Sequence, residues 1–175
     1  KIQAIGISSQ GGALQILNGK GNPVGRVISW MDQRGRKYDD EILKIFGTDF
    51  LVTHTGHKRS KMGLGYLIRC KYKKPSLIKS PNLISFVGDI VVSRLCGRRA
   101  HDGTSLTCNV LYNPFTKSNE QEILKFLGIK ESQLPDLLSP KTPAGKLLPA
   151  IAKEVSLLSG IPVSCAVHDQ YASAL

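Results

Sequence analysis

Acidic side chains are scarce in this sequence: 13 Asp and Glu stand against 24 Lys and Arg, a formal net charge of +11. Such an excess attracts anions over long range, be they nucleic acid, acidic lipid or a phosphate-bearing substrate. The basic residues are nevertheless dispersed. Only Lys58-Arg59-Ser60-Lys61 and Lys71-Tyr72-Lys73-Lys74 cluster, and no long run of one charge occurs. A solvated surface explains that pattern, and no nucleic-acid partner is expected. Long apolar runs are missing too. Nothing approaches the ~18 residues that cross a bilayer, so no membrane partner is expected. The opening Lys1-Ile2-Gln3-Ala4-Ile5-Gly6-Ile7 reads as a strand and not as a secretory leader, which makes a cytoplasmic setting the default. Paired cysteines are absent as well. Cys70, Cys96, Cys108 and Cys165 are widely spaced without a Cys-x-x-Cys, which excludes the zinc patterns. They read as small buried hydrophobes of a reducing compartment. His101 and His168 have no companions at ligand spacing, and no metal site is expected.

What is present suffices for one domain: 175 residues, 41% of them hydrophobic. The apolar run at 2–7 predicts a buried strand ending in the polar loop Ser8-Ser9-Gln10-Gly11-Gly12. Leu14–Leu17 and Val24–Trp30 flank the turn residues Asn18-Gly19-Lys20-Gly21-Asn22-Pro23, which predicts an antiparallel hairpin. Residues 36–46 carry Tyr38, Ile42, Ile45 and Phe46 at helical spacing, with Gly47 as the stop. A second helix is predicted over Lys61–Lys73, ended by Pro75. A strand at Leu83–Phe86, a helix over Asp89–Leu95 stopped by Gly97, and a helix over 119–127 closed by Gly128 follow. A helical stretch interrupted by Pro149 is read at 145–159. The last strand, Ile161–Val167, runs into His168-Asp169-Gln170, where a helix begins. The pattern is mixed α/β. The chain ends only a few residues into that helix, which predicts that the domain continues beyond Leu175.

Three segments carry candidate chemistry. Asp169 follows a buried strand, the place where α/β proteins put ligands, and a carboxylate there can accept a substrate proton. It can equally cap the helix that follows, and spacing alone leaves both readings open. His168 beside it reads as a neighbour shaping the loop. In Trp30-Met31-Asp32-Gln33-Arg34, the indole offers a flat face suited to the C–H face of a sugar, and Asp32 and Arg34 can pair. A core Trp with a surface ion pair fits the same residues. In Ser8-Ser9-Gln10-Gly11-Gly12, glycines let a ligand approach the backbone, as they also would in an ordinary turn. Gly19-Lys20-Gly21 lacks both the ending and the following helix of a phosphate loop. Asp102-Gly103-Thr104-Ser105 resembles a phosphate turn but has no good preceding strand, and is read as a capped turn.

Taken in order, Gly6-Ile7-Ser8-Ser9-Gln10, Trp30-Met31-Asp32-Gln33-Arg34 and Val163–Gln170 resemble the first domain of the FGGY family of carbohydrate kinases, over roughly residues 2–175. The resemblance implies a ribonuclease-H-like, actin-type α/β domain with a mixed sheet and flanking helices, incomplete at both ends. It implies transfer of the γ-phosphate of ATP, with magnesium, to a sugar or polyol hydroxyl, a pentulose such as xylulose being the expected substrate. Asp169 would be the general base. Gln170 would bind the sugar, Trp30 would pack on it, Gln10, Gly11 and Gly12 would line the pocket, and Asp32 and Arg34 would support its wall. The resemblance also implies that the ATP-binding domain lies beyond Leu175, that this stretch alone is inactive, and that a homodimer is possible.

The sequence departs from the family's pattern in four places. The phosphate turn that opens family members would lie ahead of Lys1. Ala166-Val167 stands where glycines usually precede the catalytic loop. A Lys-x-x-Trp stretch survives only as Lys61 with Leu64. Gly11 and Gly12 replace larger pocket side chains of xylulose and glycerol kinases, which implies a larger substrate or a pocket of another shape. A degenerate, non-catalytic sugar-binding member is the alternative these departures allow.

Overall fold

The computed structural model describes residues 2–58 and 63–174. The apolar opening forms β1 (Ile5–Ser9), followed by β2 (Leu14–Leu17). Helices α1 (Asp39–Thr55) and α2 (Gly63–Lys73) come next, then β3 (Leu83–Phe86), which passes directly into α3 (Val87–Cys96). A two-residue β4 (Ala100–His101) and a short α4 (Thr104–Thr107) precede the pair β5 (Tyr112–Asn113) and β6 (Ser118–Asn119), and then α5 (Gln121–Leu127). The last elements are β7 (Asp136–Leu137), β8 (Gly145–Lys146), α6 (Pro149–Glu154), β9 (Pro162–His168) and α7 (Asp169–Ala172).

The sheet has the order β1-β9-β4-β7 with parallel neighbours, and β8 adds antiparallel to the start of β9. This is the mixed sheet the sequence predicts. The last long strand therefore lies inside the sheet, between the first strand and β4. A parallel sheet needs its faces covered, and α3 packs against β1 and β9 at a point where only glycine fits. A Cβ at Gly88 would lie 2.3 Å from Ser9 Oγ and 2.7 Å from Ala166 Cβ. Gly88→Ala is expected to overpack this contact by about 1–3 kcal/mol. Thermal unfolding should register that at roughly 2–4 °C per kcal/mol for a chain of this size. An unchanged melting temperature would show that α3 has room to shift.

The largest core lies beside the sheet. The antiparallel β2–β3 ribbon contributes Leu14, Ile16, Ile84 and Phe86, and the helices contribute Ile42, Leu64, Leu67 and Ile123. Leu64, Leu67 and Cys70 are buried on α2 as their spacing predicts, while Lys61 and Met62 lie outside the described residues, as do Arg59 and Ser60. A smaller cluster under the sheet holds Val92, Ala100, Cys165 and Ala166.

Three expectations need correction. Val24–Trp30 is not a regular strand: Gly25 sits at φ +83, and its backbone meets β2 at isolated points, the Val24 N–H donating to Ile16 O and Ile28 bridging Leu14. Gly47 does break the first helix, with φ 80 and ψ 166, but a second helical stretch resumes and runs to Thr55. Ile45, expected on the apolar face, is 48% exposed. Over 145–159 only α6 is helical. Pro149 starts it, because a proline at the first position sacrifices no intrahelical donor.

One buried carboxylate ties α3 to its strand. Asp89 Oδ2 accepts the Phe86 N–H at 2.7 Å, while Oδ1 is buried without a partner. Burial pushes this acid up to about 7, with the Phe86 amide and the Arg99 charge opposing it. The folded state thus holds a proton on Asp89 that the unfolded chain releases near pH 4. The associated stability is full below that pH and is lost as pH rises toward about 7. His101, buried and held down to about 3 by desolvation and by Arg99, works in the opposite direction over part of this range. The informative quantity is therefore a difference. Asp89→Asn keeps an acceptor for Phe86 and should be relatively more stable than the unsubstituted protein at pH 8 than at pH 4.5, as read by denaturant unfolding. Parallel pH profiles would refute this.

Candidate functional site

The β1–β9 register sets the site. Ser9 lies opposite His168, so the two parallel strands end together. Gln10-Gly11 continues from one and Asp169-Gln170 from the other. Open α/β sheets bind ligands outside the carboxyl ends of their strands. A cleft of about 450 Å³ lies there. Gln10, Gly11, Trp30, Asp169 and Gln170, all expected from the sequence, line it together with His168 and Ser173.

Trp30 is 49% exposed, so the core reading of this residue fails and its ring is available to the cleft. Asp32 and Arg34 do not line the cleft. Arg34 Nε reaches both carboxylate oxygens of Asp32, at 3.0 and 2.9 Å, and its backbone N–H donates to Oδ1 at 2.9 Å. These hydrogen bonds to Arg34 are the main cause holding the Asp32 carboxyl below its ordinary range. The guanidinium also lies over the Tyr66 ring, 5.3 Å from its centroid, which pins the end of the Trp30 segment to α2. Gly12 is buried, has φ +71, and turns the chain into β2 without lining the cleft.

Asp169 is the first residue of α7. Its Oδ1 accepts the Gln170 N–H at 2.8 Å and faces His168 Nε2 at 3.2 Å. Its side chain is 52% exposed, and Oδ2 accepts no hydrogen bond from the described residues. Asp169 is therefore not the cap of α7, whose N-cap position is His168 without a side-chain cap bond; Asp169 lines the cleft with Oδ1 held by the Gln170 N–H.

His168 carries more of the site than its sequence reading implies. It is 5% exposed, and its ring is seated on Gly11, where a Cβ would lie 1.9 Å from Nε2. The space that a larger side chain would take at position 11 is therefore occupied by this imidazole. The pocket differs in shape from one with a bulky residue at that position, and Gly11 adds no empty room. Cys108 Sγ lies 3.8 Å from His168 Nδ1. Burial pushes the Cys108 thiol up, and the Asp169 charge adds to this. Cys108 and Cys96 are only partly buried, in contrast to Cys70 and Cys165.

Behind the cleft, the Thr104 hydroxyl accepts the His168 N–H at 2.9 Å and donates to Asp102 Oδ1 at 2.6 Å. The Asp102-Gly103-Thr104-Ser105 turn is capped as expected, with Thr104 N–H also donating to Asp102 Oδ1. The supposed lack of a preceding strand is wrong, since β4 leads into it from within the sheet. Ala166 and Val167, the bulkier residues ahead of Asp169, do not line the cleft, and Ala166 is buried under Gly88. Among the described residues no group of three or more His, Cys, Asp or Glu is placed to hold a metal ion. Nor is any helix among them long and apolar enough to cross a membrane.

The cleft at the strand ends thus brings an exposed indole and a carboxylate together on a mixed α/β domain. The chain belongs to the FGGY family of carbohydrate kinases, matching the family's N-terminal domain over residues 1–175. A rhamnulokinase of Oceanobacillus iheyensis is 24% identical over 81% of this chain and 30% of its own length. A probable L-xylulose kinase of Haemophilus influenzae is 26% identical over 100% of this chain and 37% of its own length. The solved structure of a ligand-bound xylulose kinase from Lactobacillus acidophilus superposes with a TM-score of 0.89 at 23% identity, over 99% of this chain and 36% of that one. The likeness confirms the expected fold, and the chain spans about a third of the length of these relatives.

Proposed function

We propose that the full-length protein transfers a phosphoryl group from ATP to a hydroxyl of a sugar or polyol, a pentulose such as xylulose being the substrate class, and that this cleft holds the sugar. The observation that carries the reading is that Asp169, whose Oδ2 accepts no hydrogen bond from the described residues, and the half-exposed Trp30 line one cleft. Family membership and the rhamnulokinase relative support a sugar kinase, and the relatives named xylulose kinase support the pentulose.

In this reading Asp169 takes the proton of the attacking hydroxyl on Oδ2 while Oδ1 stays anchored by the Gln170 amide. Trp30 packs on the C–H face of the sugar. The Gln10 and Gln170 amides take up hydroxyl hydrogen bonds. Gly11 and Gly12 shape the floor and its turn, and the Asp32–Arg34 pair holds the Trp30 segment in place. Phosphoryl transfer asks mainly for this kind of positioning, together with charge neutralisation. No metal-binding cluster exists among the described residues, and the phosphate-turn lookalike spends Asp102 Oδ1 on Thr104.

The test is a thermal-shift and ATP-turnover screen of the full-length protein against pentuloses, hexuloses, glycerol and gluconate. One pentulose is expected to stabilise the protein by mass action and to be phosphorylated. A sugar that stabilises without turnover would favour the non-catalytic member of the family. No response to any of them would overturn the reading.

A further inference from the structure

We infer that His168 is a positioning residue for Asp169, held in one tautomer by the Cys108 thiol, so that Oδ1 is occupied and Oδ2 is presented to the substrate hydroxyl. The inference rests on Asp169 acting as the base, and it adds how that carboxylate is aimed.

Four observations converge on the ring. Its Nε2 lies 3.2 Å from Asp169 Oδ1, a charge contact in which the ring N–H is not aligned as a hydrogen bond. Its Nδ1 meets Cys108 Sγ at 3.8 Å. Its position is fixed sterically by Gly11, since any Cβ there would strike Nε2 and the neighbouring ring carbons. Its backbone is fixed by the Thr104 hydroxyl, itself bound to Asp102. A buried imidazole takes the tautomer set by the partner of its other nitrogen. A thiol is a weak donor and, kept protonated by burial, it offers S–H to Nδ1. The proton then resides on Nε2, on the side of Asp169. With Oδ1 bonded by the Gln170 amide and faced by the imidazole, rotation of the carboxylate is disfavoured. The remaining oxygen stays on the cleft side.

The role is separable from simple packing. In the full-length protein with its best sugar, His168→Leu should lower kcat by about 10- to 100-fold through misplacement of the carboxylate. KM should move little, because the loss falls on the reacting geometry. His168→Gln restores an N–H aimed at the carboxylate and should recover most of the lost kcat, which a purely structural role would not produce. Nitrogen NMR of the histidine ring, assigned by loss of the signal in His168→Gln, should show Nε2 protonated. In Cys108→Ala it should shift toward a mixture of tautomers.

An unchanged kcat in His168→Leu, alongside a dead Asp169→Asn, overturns this inference and leaves the proposed function standing. If no sugar is phosphorylated, the proposed function fails, and the ring spectra alone decide the inference. A ring protonated on Nδ1, or one indifferent to Cys108→Ala, overturns it.

Discussion

Asp169→Asn is expected to cut sugar-dependent ATP turnover of the full-length protein by about 10²–10⁴-fold, the range over which a positioned general base contributes. The substitution is chosen for what it keeps. An asparagine at the start of α7 still offers an oxygen to the Gln170 N–H, so the local bond that Oδ1 makes survives. Size and the exposed position are also preserved, so sugar-induced stabilisation should persist. What disappears is the oxygen able to take a proton. Turnover and binding should therefore separate cleanly. Unchanged turnover would mean that Asp169 serves only the backbone of α7. Loss of both would point to collapse of the cleft, and Trp30 fluorescence of the unliganded protein would reveal it.

Gly11→Ala should be the most damaging conservative change in the cleft. The added methyl would lie 1.9 Å from His168 Nε2 and 2.0 Å from its Cδ2, closer than any side-chain carbon tolerates. The ring has little room to retreat, since it is 5% exposed, its Nδ1 meets Cys108, and the Tyr171 ring stands 5.5 Å away. Overpacking of this kind costs about 1–3 kcal/mol, and the displaced imidazole should take activity with it. The clash belongs to a pair of residues. Neighbours in contact are non-additive, so in a His168→Ala background the Gly11→Ala step should cost almost no stability. Equal costs in both backgrounds would show that the glycine is required by its backbone alone.

The strands, most helices and the principal cleft residues were legible because each is announced locally. An apolar run closes on glycines at β1, a second closes on Asp169 at β9, and helical spacing marks α2 and α5. The helical stretch from Thr48 to Thr55 was hidden because Gly47 reads as a terminator, and nothing in its neighbours says that the chain will restart. The segment after Pro23 alternates like a strand and bridges the second edge of β2, yet Gly25 at φ +83 breaks the backbone there and keeps it from forming a continuous ladder. The site fails to announce itself where it depends on contacts between distant segments. His168 and Gly11 meet only because β1 and β9 pair in one register, and Cys108 joins them across 60 positions. Asp32 and Arg34 look like ligands in sequence because ion pairs and binding residues share one composition. Only the fold shows that they clamp each other and Tyr66, outside the cleft.

The sheet order has a consequence for how this domain is made on the ribosome. β9 lies between β1 and β4, and the hydrogen bond from Ile7 to Ser164 spans 157 positions. At elongation rates of about 5–20 residues per second, β1 waits on the order of ten seconds before its sheet partner is synthesised. During that interval the β2–β3 ribbon and the helices packed on it can already form, because their contacts close earlier in the chain. On that order of synthesis the helical lobe can settle while the edge of β1 that β9 takes is still open. Such an edge is a docking line for chaperones and for other nascent chains. The arrival of one late strand closes that edge and brings the Gln10-Gly11 and Asp169-Gln170 segments together.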